Sequence, residues 1–236
     1  MKMNRNILKY IAVIAMLSDH LALVFVGMDN PLGVVMRVFG RLTAPIMCYF
    51  LVEGYMHTRS KKKYALRLLT FAFISQVPFS YLLTGRFFSD KFNMIFTLFL
   101  CFMILVVIEK VESRVLKFIL TLMIYSICGY CDWGLVAPLW VIAFAMLRND
   151  KKKLTFAYAL ICLFWVIRST NMAVAAGDLW YQGLWQAGTF AFIPFIYLYN
   201  GEAGKSSRFS KWFFYVFYPA HILILAVLYR NILPFI

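Results

Sequence analysis

Long apolar stretches alternate with short polar segments along the chain. About nine of these stretches come close to the roughly 20 residues that an α-helix needs to cross a bilayer. They cover residues 7–27, 35–55, 64–84, 92–108, 115–130, 133–147, 154–167, 183–200 and 212–229. The pattern predicts an all-α, polytopic transmembrane bundle forming a single membrane-embedded domain over residues 1–236, with span boundaries least well defined between residues 109 and 183.

The composition excludes an ordinary soluble domain. Hydrophobic residues make up 63% of the chain and charged residues 14%, with a mean hydropathy of +0.77. Soluble domains carry about 25% charged residues, so the apolar excess here must face lipid. The chain begins with the basic residues Lys2, Arg5 and Lys9 around the start of the first apolar stretch, as in a signal peptide, but this stretch is too long and lacks a small-residue cleavage site. We therefore expect a retained first span.

The basic residues predict the orientation in the membrane. The net charge is +14, and most of the 24 Lys and Arg residues lie at the N-terminus or in alternate loops. These residues are Lys2, Arg5 and Lys9; Arg59, Lys61, Lys62, Lys63 and Arg67; Lys110, Arg114 and Lys117; Arg148, Lys151, Lys152 and Lys153; and Lys205, Arg208 and Lys211. The opposite side holds Arg86, Lys91, Arg168 and Arg230. Because positive charge marks the cytoplasmic side, we expect a cytoplasmic N-terminus and a multi-pass protein of the bacterial cytoplasmic membrane. No basic stripe is interleaved with stacking aromatics, so nucleic acid is not an expected partner.

The ionisable residues inside the predicted spans include Asp19, His20, Arg41 and His221. Such residues are costly in a membrane and are therefore candidates for function. Asp19 and Arg41 fall at similar predicted depths on neighbouring helices, so we expect Asp19 to pair with Arg41 or with Arg37. His20 then points away from Asp19, towards a cavity. The alternative is that the pair only clamps two helices together and that His20 is a packed polar residue.

A basic segment follows the second span. Glu53 and His57 share one helix face near the predicted cytoplasmic surface, and five basic residues come directly after them: Arg59, Lys61, Lys62, Lys63 and Arg67. Such a group can hold anionic lipid head groups, or it can hold the phosphates of coenzyme A. The residues alone leave both interpretations open. Cys128 and Cys131 have a CxxC spacing without paired partners elsewhere, so we predict no metal site.

Seven short motifs resemble the TraX family and occur in the order typical of that family. They are LSDH at 17–20, FGRLTAP at 39–45, VEGYMHT at 52–58, YALRL at 64–68, ISQVP at 74–78, LYNG at 198–201 and FYPAH at 217–221. The family takes its name from a conjugation protein that acetylates the N-terminus of pilin. It is similar to larger membrane acyltransferases, namely the acyltransferase-3 type and the lysosomal glucosaminide acetyltransferase.

The resemblance implies an acetyltransferase that uses cytoplasmic acetyl-CoA as its acyl donor. In these relatives a histidine on an early span is the usual candidate for the chemistry, which implies a role for His20. The implied acceptor is an amine or hydroxyl of a peptide, a pilin-like protein or a glycan, reached from the membrane or from its outer face. Acetyl-CoA, this acceptor and membrane lipids are then the expected partners.

The expected catalytic residues are His20, Asp19, Arg41 and His221. His20 acts as general base or carries the acetyl group. Arg41 or a donor near Pro219 stabilises the oxyanion, and Asp19 holds Arg41 or tunes the histidine. His221 is the alternative base, presented by a kink at Pro219. Glu53, His57 and the basic residues Arg59 to Arg67 are expected to bind the donor. The competing interpretations are a proton-coupled small-molecule transporter, against which the lack of an internal repeat argues, and a structural membrane subunit.

Overall fold

The computed structural model of the protein describes residues 2–202, 204 and 208–232. Lys205, predicted to belong to the last basic cluster, lies outside the described residues, as do the side chains of Arg208 and Lys211. The regular structure in the described part is helical, which confirms the all-α fold class. The helices are α1 (Arg5–Leu21), α2 (Pro31–Gly40), α3 (Thr43–His57), α4 (Lys61–Thr84), α5 (Met94–Lys110), α6 (Arg114–Cys128), α7 (Ala137–Met146), α8 (Lys151–Ala175), α9 (Ile193–Leu198) and α10 (Arg208–Val227). A 3₁₀-helix, Trp180–Phe192, precedes α9, and π-helical turns follow α1 and α10 at Ala22–Val26 and Leu228–Ile232.

Five helical segments in the described residues are long and apolar enough to cross a membrane: Arg5–Val26, Pro31–His57, Lys61–Thr84, Lys151–Ala175 and Trp212–Arg230. They correspond to the first, second, third, seventh and ninth predicted spans. The seventh continues to Ala175, beyond its predicted end at residue 167. The fourth, fifth and sixth predicted spans are the shorter helices α5, α6 and α7, of 17, 15 and 10 residues. Most positions of α7 are buried, as in a helix that is apolar on all sides and lies within a core.

The predicted eighth span, residues 183–200, is not one α-helix. The chain forms the 3₁₀-helix Trp180–Phe192 and then the short helix α9. A β-carbon added at Gly183 would lie 2.5 Å from the backbone of Thr170 on α8, so the segment lies directly against that helix. The Tyr158 hydroxyl donates to the Thr189 carbonyl at 2.7 Å. These tertiary contacts fix the irregular segment on α8, and the hydrophobic pattern alone does not reveal them.

The described residues form two compact units, and each unit combines segments that are distant in sequence. The first consists of the described parts of Met1–Met47 and Leu147–Phe214, and the second of those of Cys48–Met146 and Tyr215–Ile236.

In the first unit, α1 and α2 form a tight helical hairpin. Asn30 caps α2 by accepting a hydrogen bond from the Leu32 amide at 2.9 Å, and Pro31 occupies the first turn. A β-carbon at Gly33 would lie 3.0 Å from the carbonyl carbon of Gly27 and closer still to its oxygen. Gly27 itself has a positive φ of 78°. The short turn therefore depends on glycine at both positions, and it brings the end of α1 against α2.

The second predicted span is broken at Arg41, where one continuous helix was expected. Helix α2 ends at Gly40, and α3 begins at Thr43. Pro45 has no amide hydrogen, so it cannot donate to the carbonyl of Arg41 four residues earlier. Helical bonding resumes with the Ile46 amide donating to Leu42 at 3.3 Å. The break places Arg41 at the junction of two helix segments.

In the second unit, Asn93 closes the connection between α4 and α5. Its side-chain oxygen accepts from the Ile95 amide at 2.9 Å and so caps α5. Its side-chain nitrogen donates to the Ala72 carbonyl at 2.7 Å and to Gln76 Oε1 at 2.9 Å. Gln76 in turn donates to the Lys91 carbonyl at 2.9 Å. Helix α4 continues through Gln76 and Pro78 to Thr84, as the third predicted span does.

Replacing Asn93 with Ala is expected to lower the free energy of unfolding by about 2–3 kcal/mol, because the cap is lost and buried polar groups lose their partner. Thermal unfolding in detergent would measure the change. Ser113→Ala is the matched control, since Ser113 caps α6 at an exposed site. Equal melting temperatures for the two variants would contradict the structural role of the buried amide.

Candidate active site

Asp19 lies between two arginines in the first unit. Its Oδ1 contacts Arg37 Nη1 at 3.2 Å and also forms an ion pair with Arg41 Nη2. Asp19 lies near the end of α1. Arg37 lies in the last turn of α2 and Arg41 is the C-cap of that helix, and because they are four residues apart they share one face. The predicted pairing of Asp19 with Arg41 or Arg37 is confirmed, and the structure shows that both arginines take part.

These three side chains are largely shielded from solvent. The exposed fractions are 14% for Asp19, 13% for Arg37 and 6% for Arg41. Two guanidinium groups against one carboxylate give the Asp19 cluster, defined as Asp19, Arg37 and Arg41, a net charge of +1. Arg37 was noted in the sequence only as a possible partner of Asp19, yet it contributes as directly as Arg41.

Trp185 covers both guanidinium groups. The guanidinium carbons of Arg37 and Arg41 lie 4.2 Å and 4.3 Å from the indole centroid. Such cation–π contacts contribute about 0.5–2 kcal/mol each, with the larger values at desolvated sites. Trp185 belongs to the 3₁₀-helix, so this irregular segment brings an aromatic wall to the cluster. Trp185 was not predicted as a site residue, because nothing in the local pattern separates it from other aromatics of an apolar segment.

Two glycines allow the elements of the cluster to approach. A β-carbon at Gly40 would lie 2.6 Å from Asp19 Oδ1. Helices α1 and α2 are therefore in close contact at the Asp19 side chain. A β-carbon at Gly188 would lie 2.8 Å from the carbonyl carbon of Val38, so the 3₁₀-helix lies against the backbone of α2. Small residues at such contacts are typical of membrane helix packing.

His20 follows Asp19 directly and lies in the last turn of α1. It is partly buried and takes part in interactions within the structure. Residues adjacent on a helix point about 100° apart, so His20 is directed away from the side on which Asp19 meets α2. A π-helical turn begins at Ala22, and such turns occur frequently at functional sites.

His221 belongs to the second unit, so it is described separately from the Asp19 cluster. It lies on α10, two residues after Pro219, and is 6% exposed. Its Nδ1 is 2.7 Å from the Phe217 carbonyl, and its ring stacks on that of Phe217 with centroids 4.7 Å apart. Donation from Nδ1–H to this carbonyl leaves the lone pair of a neutral ring on Nε2.

The predicted donor-binding residues are also in the second unit, and Lys61 among them already has an acidic partner. Lys61 forms an ion pair with Glu109, which also accepts a hydrogen bond from the Tyr55 hydroxyl. These two hydrogen bonds, first that from Lys61 and then that from Tyr55, lower the pKa of Glu109 to about 2. At pH values above the usual glutamate pKa of about 4.3, the ion pair therefore stabilises the fold. This stabilisation is lost as the pH falls towards the lowered pKa of Glu109. Because Glu109 is 38% exposed, the contribution is small.

The other predicted donor residues differ in their surroundings. Arg67 lies over two aromatic rings, 5.4 Å from that of Tyr64 and 5.8 Å from that of Tyr215. His57 is exposed, and its Nδ1 is 2.8 Å from the backbone carbonyl of Glu53, so these two residues interact through the main chain. The remaining three side chains are exposed at the start of α4 and in the segment before it: Arg59, Lys62 and Lys63.

Cys128 and Cys131 are both buried free thiols. Among the residues described, no group of three His, Cys, Asp or Glu side chains is arranged to hold a metal ion.

In the described residues, five helical segments long and apolar enough to cross a membrane accompany a largely shielded cluster of charged side chains, an arrangement compatible with the class of membrane proteins. The model of the TraX family, described as TraX protein, matches residues 4–229. The chain therefore belongs to the TraX family, as the resemblance of its motifs indicated.

A curated relative is 34% identical over 238 residues, covering 94% of this chain and 97% of its own length. It is the probable fimbrial assembly protein FimC, serogroup H1, of Dichelobacter nodosus. No solved structure matches the chain.

Replacing Gly40 with Ala is expected to separate α1 from α2 and to lower the free energy of unfolding by about 1–3 kcal/mol, because the added methyl group meets the Asp19 carboxylate. Thermal unfolding in detergent is the measurement. Gly129→Ala is the control, since its nearest atom would lie 3.1 Å away and its φ of −55° suits any residue. A Gly40→Ala variant as stable as this control would rule out the tight crossing.

Proposed function

We propose that this protein is an integral membrane acetyltransferase that moves an acetyl group from cytoplasmic acetyl-CoA to an amine or hydroxyl of an acceptor. The observation that carries the proposal is the buried cluster of Asp19, Arg37 and Arg41 next to His20, in a chain that belongs to the TraX family. A buried ionised cluster is costly, and its position beside a residue able to transfer protons supports a chemical role.

The proposed acceptor is the N-terminal amine of a pilin-like or fimbrial subunit. The support is the relative from Dichelobacter nodosus, whose name describes a probable fimbrial assembly protein. The same chemistry applies to a hydroxyl of a glycan, which is the alternative acceptor. Membrane lipids surround the site, and nucleic acid has no part in the proposed reaction.

In the proposed reaction the acceptor nitrogen attacks the thioester carbonyl of acetyl-CoA. A C–N bond forms, the C–S bond breaks, and the coenzyme A thiolate leaves. His20 accepts the proton of the attacking amine and returns it to the leaving thiolate, which balances the step. Arg41 stabilises the oxyanion, and Asp19 holds Arg41 in place. A transient acetyl-His20 is the variant of this scheme that would give ping-pong kinetics.

We assign the phosphates of the donor to the basic residues Arg59, Lys61, Lys62, Lys63 and Arg67. Glu53 and His57 are assigned to the donor site, but not to the phosphates. The exposure of Arg59, Lys62 and Lys63 supports this assignment, because exposed cations are accessible to phosphate oxygens. The ion pair of Lys61 with Glu109 means that a phosphate would compete with a carboxylate there.

His221 is the second candidate for the base. Its ring is held against Phe217 and against a carbonyl of its own helix, which is the arrangement of a packed side chain. This geometry favours His20 as the base.

Replacing His20 with Ala is expected to reduce acetyl transfer by about 10²–10⁴-fold, because the proton acceptor is lost. Purified protein in detergent would be given radiolabelled acetyl-CoA and a peptide with a free N-terminus, and the labelled peptide would be counted. His221→Ala is the matched control and is expected to retain most of the activity. The triple variant Arg59→Gln, Lys62→Gln, Lys63→Gln is expected to raise KM for acetyl-CoA and to leave kcat nearly unchanged.

Wild-type protein that neither binds acetyl-CoA more tightly than the triple variant nor transfers its label would contradict the acetyltransferase. Substrate-dependent proton flux in liposomes would then favour the carrier. A loss of transfer in His221→Ala but not in His20→Ala would move the base to α10.

The nine-span arrangement with a cytoplasmic N-terminus is part of the proposal, and the distribution of basic residues supports it. Alkaline phosphatase fused at Ile236 or within the loop at Phe88 is expected to be active, because both sites would lie outside. The same enzyme inserted at Asp150 is expected to be inactive, since the surrounding basic loop would be cytoplasmic. An active reporter at Asp150 together with an inactive one at Ile236 would reverse the orientation.

A further inference from the structure

Arg67 is an arginine inside a helix that is long and apolar enough to cross a membrane. It lies six residues beyond Lys61, the first residue of α4, or about 9 Å along the helix axis. Its side chain is partly buried, and its buried Nε–H has no hydrogen-bond acceptor in the described part of the chain. No Asp or Glu among the described residues forms an ion pair with it. A cation in this position is stabilised by an anion that joins it.

Two tyrosine rings hold the Arg67 guanidinium group in place. Its central carbon lies 5.4 Å from the ring centroid of Tyr64 and 5.8 Å from that of Tyr215. The Tyr64 ring packs in turn against Phe102, with centroids 5.1 Å apart. The Tyr215 ring packs against Phe71, with centroids 5.0 Å apart. A guanidinium group held by aromatic rings keeps its N–H edge for the planar, bidentate binding of an oxyanion.

The cations at the start of α4 differ from Arg67 in depth and exposure. Lys62 and Lys63 lie in the first turn of the helix, Arg59 precedes it, and all three side chains are exposed. Arg67 follows Lys63 by one helical turn on the same face and is partly buried. The basic segment therefore offers two environments for negative charge. One is a hydrated group of cations, and the other is a single, more enclosed guanidinium group one turn further along α4.

Coenzyme A carries phosphate in two places that match these environments. Its ribose bears a 3′-phosphate, a monoester that carries up to two negative charges near neutral pH and suits several hydrated cations. Its diphosphate, with one charge on each phosphorus, joins the adenosine to the pantetheine arm. Because that arm ends in the reacting thioester, the diphosphate lies between the 3′-phosphate and the reaction centre. The more enclosed cation is thus the one that the diphosphate would meet.

We propose that Arg67, held by its two tyrosine rings, is the subsite for the diphosphate of the acetyl donor, whereas the exposed cations Arg59, Lys62 and Lys63 bind its 3′-phosphate. The two subsites then select different parts of the same donor. This inference rests on the proposed acetyltransferase for the identity of the ligand. The phosphodiester of a lipid head group shares the chemistry of the diphosphate, and the experiment separates these two sources.

The test measures the binding of coenzyme A and of dephospho-coenzyme A, which lacks the 3′-phosphate, by calorimetry on the full chain in detergent. Wild-type protein is expected to bind coenzyme A at least about tenfold more tightly. Arg67→Gln is expected to weaken the binding of both ligands by the same factor, about tenfold or more, so that the preference remains. The triple variant Arg59→Gln, Lys62→Gln, Lys63→Gln is expected to lose the preference and to keep most of its affinity for dephospho-coenzyme A.

The retained preference shows that Arg67→Gln is folded, because an unfolded protein would lose it. Arg67→Lys keeps the charge and most of the stem, and it is the second variant. It is expected to recover affinity only in part, since an ammonium group lacks the bidentate edge. Arg114→Gln is the matched control, because Arg114 is an exposed arginine at the start of α6, and it is expected to bind both ligands like wild type.

Equal affinities of wild type and Arg67→Gln for dephospho-coenzyme A would overturn the subsite and leave the acetyltransferase standing. An Arg67→Lys variant with wild-type affinity for both ligands would overturn it too. So would Arg67-dependent competition by phosphatidylglycerol added to the micelles, since a lipid head group would then bind the arginine. Wild-type protein that binds neither ligand would overturn the subsite together with the donor of the proposed reaction. The expected pattern of binding without acetyl transfer would support the subsite and count against the acetyltransferase alone.

Discussion

The arrangement of the first unit depends on the ion pairs that one carboxylate makes with two guanidinium groups. Asp19 on α1 contacts both Arg37 and Arg41, and in a low-dielectric surrounding each of these charges would be costly alone. Removing any one of the three leaves the others with a changed charge balance. The cluster thus ties α1 to α2, and through Trp185 it ties both helices to the 3₁₀-helix.

Small backbone features allow these contacts to form. Gly40 and Gly188 remove side chains where α1, α2 and the 3₁₀-helix cross, and Pro45 ends the hydrogen bonding of the second span at Arg41. The charged groups and the residues that make room for them therefore belong together. In the second unit, the side chain of Asn93 also joins two helices. Its single amide group caps α5 and donates a hydrogen bond to the carbonyl of Ala72 on α4.

Much of this organisation could be predicted from the sequence, because it follows from two strong forces. The cost of exposing polar groups to lipid predicted the helical fold, and the cost of an isolated charge predicted the partnership of Asp19 with an arginine. Other features depend on contacts between distant segments. Trp185 reaches the arginines only because an irregular segment lies on α8, and Lys61 meets Glu109 only through tertiary packing. Neither contact leaves a local pattern in the sequence. The assignment of Lys61 to the donor site therefore did not include its acidic partner.

The 3₁₀-helix before α9 also has a consequence for length. A 3₁₀-helix rises about 2.0 Å per residue, against 1.5 Å in an α-helix, so the 13 residues of Trp180–Phe192 extend over about 26 Å. The six residues of α9 add about 9 Å. Laid end to end, the two helices would measure about 35 Å, against the roughly 30 Å of a hydrocarbon core. A segment that is not one α-helix is thus still comparable in length with a membrane span, and it contains Trp185, which covers both arginines.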